Sequence, residues 1–141
     1  MPTVIDPTTE TGERVMSRLR DDLVAWLVTV TPDGTPMPTP VWFWWDGESM
    51  LVYSQAGKPK LRNIETNPHV AVALRTDRLG SELAVITGDA VVDRSAPKAD
   101  DHSDYIEKYR SEIARLGSDP ATFAAGFSVP IRITPTRVRA E

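Results

Sequence analysis

The sequence contains no cysteine, and this absence removes several classes of chemistry at once. Disulfides, thiol nucleophiles and cysteine-ligated metal sites are excluded, which suits a cytoplasmic protein. No run approaches the roughly 20 consecutive apolar residues that a membrane-spanning helix needs. The opening residues, MPTVIDPTTETGERV, lack the basic and apolar regions of a secretory signal. We therefore expect a cytoplasmic protein with no membrane span.

Positive charge is also scarce, because 16 lysines and arginines stand against 20 aspartates and glutamates and leave a formal net charge of −4. A protein of this charge has no overall attraction for nucleic acid, so we expect no such partner. Any anion must therefore be bound by a local cluster of basic residues.

A chain of 141 residues is long enough to bury a hydrophobic core without disulfides or structural metals. This length predicts one domain over 1–141, with 1–10 as a candidate disordered tail.

The sequence contains only two histidines, the residues most often used as metal ligands and as bases near neutral pH. His69 lies in the strand-like segment NPHVAV, which favours a half-buried structural role. His102 lies near Asp100, Asp101 and Asp104, where helix capping or a solvated face is a better interpretation than a metal site. No pattern typical of a catalytic triad, a dinucleotide fingerprint or a phosphate-binding P-loop is present. We predict no metal site and no catalytic residue.

Hydrophobic periodicity predicts a mainly β (α+β) chain with a few flanking helices. Helices are expected at 12–23, just before Pro68, and within 95–117. Strands are expected at 23–30 (buried), 36–41, 49–55, 69–75, 82–94 (with Gly88 as a bulge) and 128–141. The strands follow one another as hairpins, which favours an antiparallel β-barrel of about six strands over a parallel sheet.

Prolines occupy every second position of the segment TPMPTPV, at Pro36, Pro38 and Pro40. Successive N–H groups of a strand point to opposite edges, so these prolines remove three donors from one edge. The intervening residues can still pair with a neighbour on the other edge. Such an edge either discourages sheet-to-sheet aggregation or lies open to a planar ligand, and the proline segment alone is compatible with both interpretations.

The segment YSQAGKPKLRN (53–63) concentrates positive charge, with Lys58, Lys60 and Arg62 within five residues. Ser54 and Asn63 flank these cations with neutral hydrogen-bonding groups. A helix that starts here adds partial positive charge, so the loop is a candidate anion site. The alternative is a solvated basic turn, but the loop follows the hairpin that contains the proline strand. A planar group beside the prolines and a phosphate at the lysines would fit one elongated molecule.

Four aromatic residues follow the proline strand, from Trp42 to Trp45. By strand alternation Trp42 and Trp44 face one side, whereas Phe43 and Trp45 face the other. One pair is expected in the core. The other pair either packs in the core or at an interface, which we favour, or walls a substrate pocket.

The order of these segments resembles the split β-barrel flavoproteins related to pyridoxamine 5′-phosphate oxidase. More narrowly, it resembles the actinobacterial branch that uses the deazaflavin coenzyme F420. The resemblance covers about residues 10–140 and lies in PDGTPMPTPVWF, LVYSQAGKPKLRNIETNPHVAV and ELAVITGDAVV. The run K-x-K-x-x-N, followed by NP and a strand, is its most specific part.

The resemblance implies a split antiparallel β-barrel and a set of cofactor-binding residues. The ring would lie along the second strand, and the phosphate and acidic tail would meet the basic loop. The residues so implied are Met37, Pro38, Thr39, Pro40, Val41, Ser54, Lys58, Pro59, Lys60 and Asn63. The closing segment TPTRVRAE has Arg137 and Arg139 but otherwise departs from the arginine-rich signature of true pyridoxamine-phosphate oxidases, which weakens any claim of vitamin B6 chemistry.

The resemblance also implies a homodimer with two equivalent sites at the interface. A second chain would contribute through the turn near Leu79–Glu82 or through the closing strand. The function so implied is an oxidoreductase that uses reduced F420 to transfer a hydride to a small electrophilic or unsaturated substrate. Two alternatives remain open: an FMN-dependent oxidase or reductase of the same fold, and a non-catalytic dimer that binds flavin or haem.

Overall fold

The computed structural model describes residues 4–141 and contains a seven-stranded sheet flanked by helices. The strands are β1 (Ala25–Val30), β2 (Pro36–Val41), β3 (Trp44–Trp45), β4 (Met50–Ser54), β5 (His69–Ala73), β6 (Ala84–Val92) and β7 (Val129–Ala140). The helices are α1 (Glu10–Asp21), α2 (Pro59–Thr66), α3 (Ser103–Arg115) and α4 (Pro120–Gly126), with a 3-10 turn at Ala99–Asp101. None of the helices in 4–141 is long and apolar enough to cross a membrane.

The strands form one antiparallel sheet in the order β2-β1-β5-β6-β7-β4-β3, so β2 and β3 lie at opposite edges. Only two residues separate the end of β2 at Val41 from the start of β3 at Trp44. Three residues of extended chain span at most about 11 Å. The sheet must therefore curl until its two edges approach each other, as in a barrel. The expected antiparallel, mainly β architecture is confirmed, with β3 as a strand beyond the six expected.

A bulge in the long hairpin of β6 and β7 lies where the sequence predicted one. The register of the two strands shifts between Thr87 and Gly88. A Cβ atom on Gly88 would lie 2.5 Å from the carbonyl oxygen of Thr134, a distance that no side chain tolerates. Glycine is therefore required here by the close approach of the neighbouring strand.

The start of the sheet differs from the sequence prediction. Helix α1 ends at Asp21 because Asp22 adopts an extended conformation, and β1 begins at Ala25. The expected buried strand at 23–30 is wrong in two respects. Leu23 lies outside the strand, and Trp26 within it is 49% exposed. β1 buries alternate residues because only one of its faces meets the core.

Two hydrophobic cores lie on the two sides of the hairpin from β3 to β4. The larger core fills the curled sheet, and the smaller one joins β4 to helices α3 and α4. Phe43 and Trp45 lie in the larger core, whereas Trp42 and Trp44 pack against the smaller one. The predicted alternation of these four aromatic residues is confirmed.

The candidate tail at 1–10 falls partly outside the described residues, which begin at Val4. Within the described part, Ile5 is buried in the larger core. The side chain of Asp6 accepts hydrogen bonds from the backbone and hydroxyl of Thr8, at 2.9 and 2.6 Å. Thr9 then caps helix α1 by accepting a hydrogen bond from the N–H of Gly12. Residues 4–9 thus lead directly into the first helix.

Candidate functional site

Strand β2 has a single strand partner within the described chain. It pairs with β1 along its whole length, and Pro36, Pro38 and Pro40 stand opposite residues of that strand. Because proline cannot donate, the pairing N–H groups must come from the intervening residues, such as Met37 and Thr39. The other edge of β2 carries the three prolines and lacks three donors. The predicted strand with one paired edge and one donor-poor edge is confirmed.

Helix α2 begins beside the basic loop. Lys58 is its N-cap residue without a capping side-chain bond, and Pro59 occupies the first turn, where a missing N–H costs nothing. Lys58 and Arg62 are exposed, whereas Lys60 is half-buried. In the part of the chain that the structure describes, none of the three forms an ion pair. Burial, and to a lesser degree the charge of Lys58, lowers the pKa of Lys60.

A pocket of about 220 Å³ brings four of the predicted cofactor-binding residues together. Pro40 and Val41 reach it from the end of β2, Ser54 from the end of β4, and Lys60 from the first turn of α2. The rest of the lining consists of Trp42, Tyr53, Gln55, Tyr105, Leu116, Phe123 and Phe127. One cation and five aromatic rings therefore share this space, which we call the β2–α3 pocket.

The remaining predicted residues lie around this pocket rather than in its lining. Met37, Pro38 and Thr39 lie farther along β2, and Lys58 and Pro59 lie at the exposed start of α2.

Asn63 is buried, and its Nδ2 donates to Thr29 Oγ1 at 3.0 Å and lies 3.7 Å from Met37 Sδ. This amide ties α2 to β1 and β2. The structure therefore places Asn63 where it positions the basic helix against the proline strand.

Three hydroxyl groups belong to residues of the pocket lining, and two of them are hydrogen-bonded within the protein. Ser54 Oγ donates to the carbonyl of Gln55 at 2.8 Å, and Tyr53 Oη donates to the carbonyl of Pro97 at 2.7 Å. Burial raises the pKa of Tyr53 to about 12. Tyr105 is fully buried, and its hydroxyl has no partner among the described residues.

Sequence reasoning missed the far wall of the pocket. Tyr105 lies in α3, Phe123 lies in α4 and Phe127 follows it, more than 60 residues after the proline strand. Tyr105 recurs at helical spacing with other apolar residues, a pattern that indicates only a buried helix face. Trp42 was the one available signal, since its predicted face is the one that contacts α3 and α4.

The histidines are not part of this pocket. His69 is exposed, with 77% of its side chain accessible, and its Nδ1 lies 2.7 Å from Asp89 Oδ1. The expected half-buried role is therefore wrong, because residue 69 starts β5 with its side chain on the solvent face. His102 caps α3 by accepting a hydrogen bond from the N–H of Tyr105 at 3.1 Å, as predicted. Residues 4–141 contain no cluster of three or more metal-binding side chains.

Several solved structures are similar to this chain over most of its length, whereas no curated protein matches it. Among solved structures, an F420 reductase is 28% identical, with 87% of this chain and 94% of that chain covered and a TM-score of 0.64. A FAD-binding protein from Mesorhizobium loti is 17% identical (91% and 90% covered, TM-score 0.66). The haem storage protein HutZ from Vibrio cholerae is 16% identical (94% and 95% covered, TM-score 0.63).

The FAD-binding protein and HutZ are only 17% and 16% identical to this chain, so they show a shared fold and nothing more. The family model described as pyridoxamine 5′-phosphate oxidase matches residues 11–140. The seven-stranded curled sheet with its flanking helices is this split-barrel fold. The chain belongs to the pyridoxamine 5′-phosphate oxidase family.

Proposed function

We propose that this protein is an oxidoreductase that binds reduced F420 and passes a hydride to a small electrophilic or unsaturated substrate. The observation that carries the proposal is the β2–α3 pocket, in which the end of the donor-poor edge at Pro40 meets the half-buried cation of Lys60. A flat ring needs a surface without competing N–H donors, and an anionic handle needs an unpaired cation. Both features lie next to each other here.

The residues present fit a deazaflavin in charge and in the donor-poor strand edge that they offer to a flat ring. The ring would lie along Met37–Val41, and the anionic part would meet the start of α2. Lys58 and Lys60 would meet the phosphate and the acidic tail, with Ser54, Pro59 and Asn63 beside them. When bound, the reduced deazaflavin supplies a hydride, and the substrate takes up that hydride together with one proton. The protein itself binds and orients the reactants and keeps water out, which agrees with the lack of a catalytic triad.

F420 is favoured over FMN by the distribution of positive charge. FMN ends in a single phosphate, whereas F420 continues into a polyglutamate tail. Lys60 alone borders the pocket, so Lys58 and Arg62 remain in solvent without ion pairs in the described structure. Two exposed cations beyond the pocket suit an acidic tail that runs along the surface.

A fluorescence titration of the purified protein with F420 and with FMN tests the proposal. We expect saturable F420 binding at micromolar concentration and weaker FMN binding. No saturable F420 binding would refute it, and a yellow protein that releases FMN on denaturation would establish the FMN alternative. Saturable binding without turnover on a panel of enones, quinones and nitro compounds would instead indicate a storage role.

We further propose that the protein is a homodimer. Trp26, Pro40 and Ala73 occupy paired positions on one face of β2, β1 and β5, and Pro38 and Val28 continue that face. Trp26 is among the most exposed large apolar side chains. An exposed tryptophan on an otherwise uncharged face suits a contact with a second chain, and this face adjoins the pocket through Pro40. The partner would contribute through the exposed turn near Leu79–Glu82 or through β7.

The mass of the protein in solution by light scattering tests this proposal. We expect a dimer for the wild type and a shift toward monomer for Trp26→Lys, because a charge would then be buried at the interface. Leu79→Lys places the same charge on the turn and tests which segment the partner contributes: a shift toward monomer assigns the turn to the interface, and an unchanged dimer assigns β7. A wild-type monomer at micromolar concentration would refute the proposal.

A further inference from the structure

We infer that Lys108 and Tyr109 of α3 are positioning residues for the β2–α3 pocket, because together they hold the link between β2 and β3 that carries Trp42. Both lie outside the pocket lining. The inference rests on the proposed function for its effect on cofactor binding. The arrangement itself can be measured in the cofactor-free protein.

The link from β2 to β3 consists of Trp42 and Phe43, and its backbone lies outside both strands. Peptide groups in such a segment need hydrogen-bond partners other than the sheet. The N–H of Phe43 donates to Tyr109 Oη at 2.8 Å, and its carbonyl accepts from Lys108 Nζ at 2.9 Å. Helix α3, more than 60 residues along the chain, therefore supplies partners for both peptide groups of this residue.

The Tyr109 hydroxyl carries one proton and has two carbonyl oxygens within reach. Its Oη lies 2.7 Å from the carbonyl oxygen of Leu23 and 3.0 Å from that of Phe43. Because Lys108 already donates to the Phe43 carbonyl, the hydroxyl proton can go to Leu23, which lies between α1 and β1. Without Lys108 the single proton would have to serve both carbonyls, and one of them would lose its hydrogen bond. The two side chains therefore act as a unit.

Lys108 is a costly residue at this position. Its Nζ lies 4.0 Å from the centroid of the Phe43 ring and 5.2 Å from that of Tyr109. Burial lowers the pKa of Lys108 to about 8, although nearby carboxylates oppose the shift. The charged side chains around the pair are Asp21, Asp22 and Glu112, with Arg18 paired to Asp22. An apolar side chain would avoid the cost of a buried charge but could not donate to Phe43.

The pair acts on the pocket through Trp42. This ring stacks on Tyr109 with centroids 4.6 Å apart and planes 5° from parallel, and it lines the pocket beside Pro40 and Val41. A shift of the link would therefore move the Trp42 ring and the end of the donor-poor edge together. Lys108 thus contributes to binding without touching the ligand.

The NMR shifts of backbone carbonyl carbons in the cofactor-free protein test the arrangement, because they report hydrogen bonding to each carbonyl. In Lys108→Met we expect the Leu23 shift to change together with the Phe43 shift, although the deleted hydrogen bond was to Phe43. Lys108→Arg keeps a charged donor and should restore both shifts. In the wild type both should follow a titration with a midpoint at about pH 8, as Lys108 loses its charge and becomes a weaker donor.

Tyr109→Phe removes the shared proton itself. The carbonyl of Leu23 then loses its donor, whereas that of Phe43 keeps its bond to Lys108. We therefore expect a larger change of the carbonyl shift at Leu23 than at Phe43.

A fluorescence titration with F420 tests the effect on the pocket. We expect Lys108→Met to weaken F420 binding about three- to tenfold, the equivalent of one hydrogen bond, and Lys108→Arg to bind as the wild type does. Arg110→Met is the matched control, because it removes a positive charge from the exposed face of the same helix. It should change neither the carbonyl shifts nor the affinity.

An unchanged Leu23 shift in Lys108→Met overturns the inference, because Lys108 would then hold Phe43 alone. Altered carbonyl shifts with unchanged F420 affinity, or an equal loss of affinity in Arg110→Met, also overturn it. Failure of the wild type to bind F420 while the carbonyl shifts respond as expected overturns the proposed function alone.

Discussion

Replacing Lys58 and Lys60 one at a time tests whether the basic loop is a binding site or a solvated turn. Lys60 is half-buried in the β2–α3 pocket, and Lys58 is exposed at the start of α2. A hydrogen bond to a charged group contributes about 1.5–3 kcal/mol when it is shielded from water, and an exposed ion pair contributes about 0.2–1 kcal/mol. We therefore expect Lys60→Ala to weaken F420 binding about 10- to 150-fold, and Lys58→Ala about fivefold or less.

The assay is a fluorescence titration of F420 at low and high salt, with thermal unfolding of the free protein in parallel. The loss from Lys58→Ala should shrink as salt screens an exposed charge, whereas the loss from Lys60→Ala should persist. The melting temperature of the free protein should hardly move in either variant, because neither lysine has an ion-pair partner in the described chain. Lys98→Ala removes an equally exposed positive charge away from the pocket and should change nothing.

Two results would refute this reasoning. If Lys60→Ala and Lys58→Ala together reduce stability as much as they reduce binding, the loop is a structural element. If Lys98→Ala weakens F420 binding as much as Lys60→Ala does, only the net charge of −4 matters and the pocket has no role.

Three further predictions concern the stability of the fold around the pocket. Asn63→Ala should lower the free energy of unfolding in urea by about 1–3 kcal/mol, since the buried hydroxyl of Thr29 loses its donor. Gly88→Ala should lower the melting temperature, because its Cβ would meet the carbonyl of Thr134, whereas Gly126→Ala, which has open space, should not. Burial lowers the pKa of Lys108 to about 8, so between pH 8 and about 10 the unfolded chain binds more protons there than the folded one. Over that range wild-type stability should rise relative to Lys108→Met.

The local features of the fold could be predicted because each has a short-range physical cause. Proline removes a donor wherever it stands, so the donor-poor edge of β2 follows from the residues alone. Gly88 marks a bulge where the sequence predicts one. Alternation paired Phe43 with Trp45 on one face, and the structure places that pair in the larger core. These inferences need neighbours along the chain or directly across a hairpin, and nothing more distant.

The pocket could not be predicted, because it depends on which distant segments meet. The curl of the sheet brings the ends of β2 and β4 together with the start of α2, and α3 then closes the space. No spacing in the sequence specifies that Tyr105 faces this space rather than a closed core. His69 shows the same limit, since strand alternation alone does not say which face of β5 meets solvent.

The half-buried Lys60 supports the ligand-binding interpretation of the proline strand. Protection against aggregation would be complete once the edge of β2 lacked its donors. It would not account for a half-buried Lys60 that lies at the end of that edge and has no ion-pair partner in the described chain. A partly desolvated cation costs folding free energy. That cost is reduced if a ligand with an anionic group occupies the pocket, so the proposed binding site accounts for a feature that edge protection leaves unexplained.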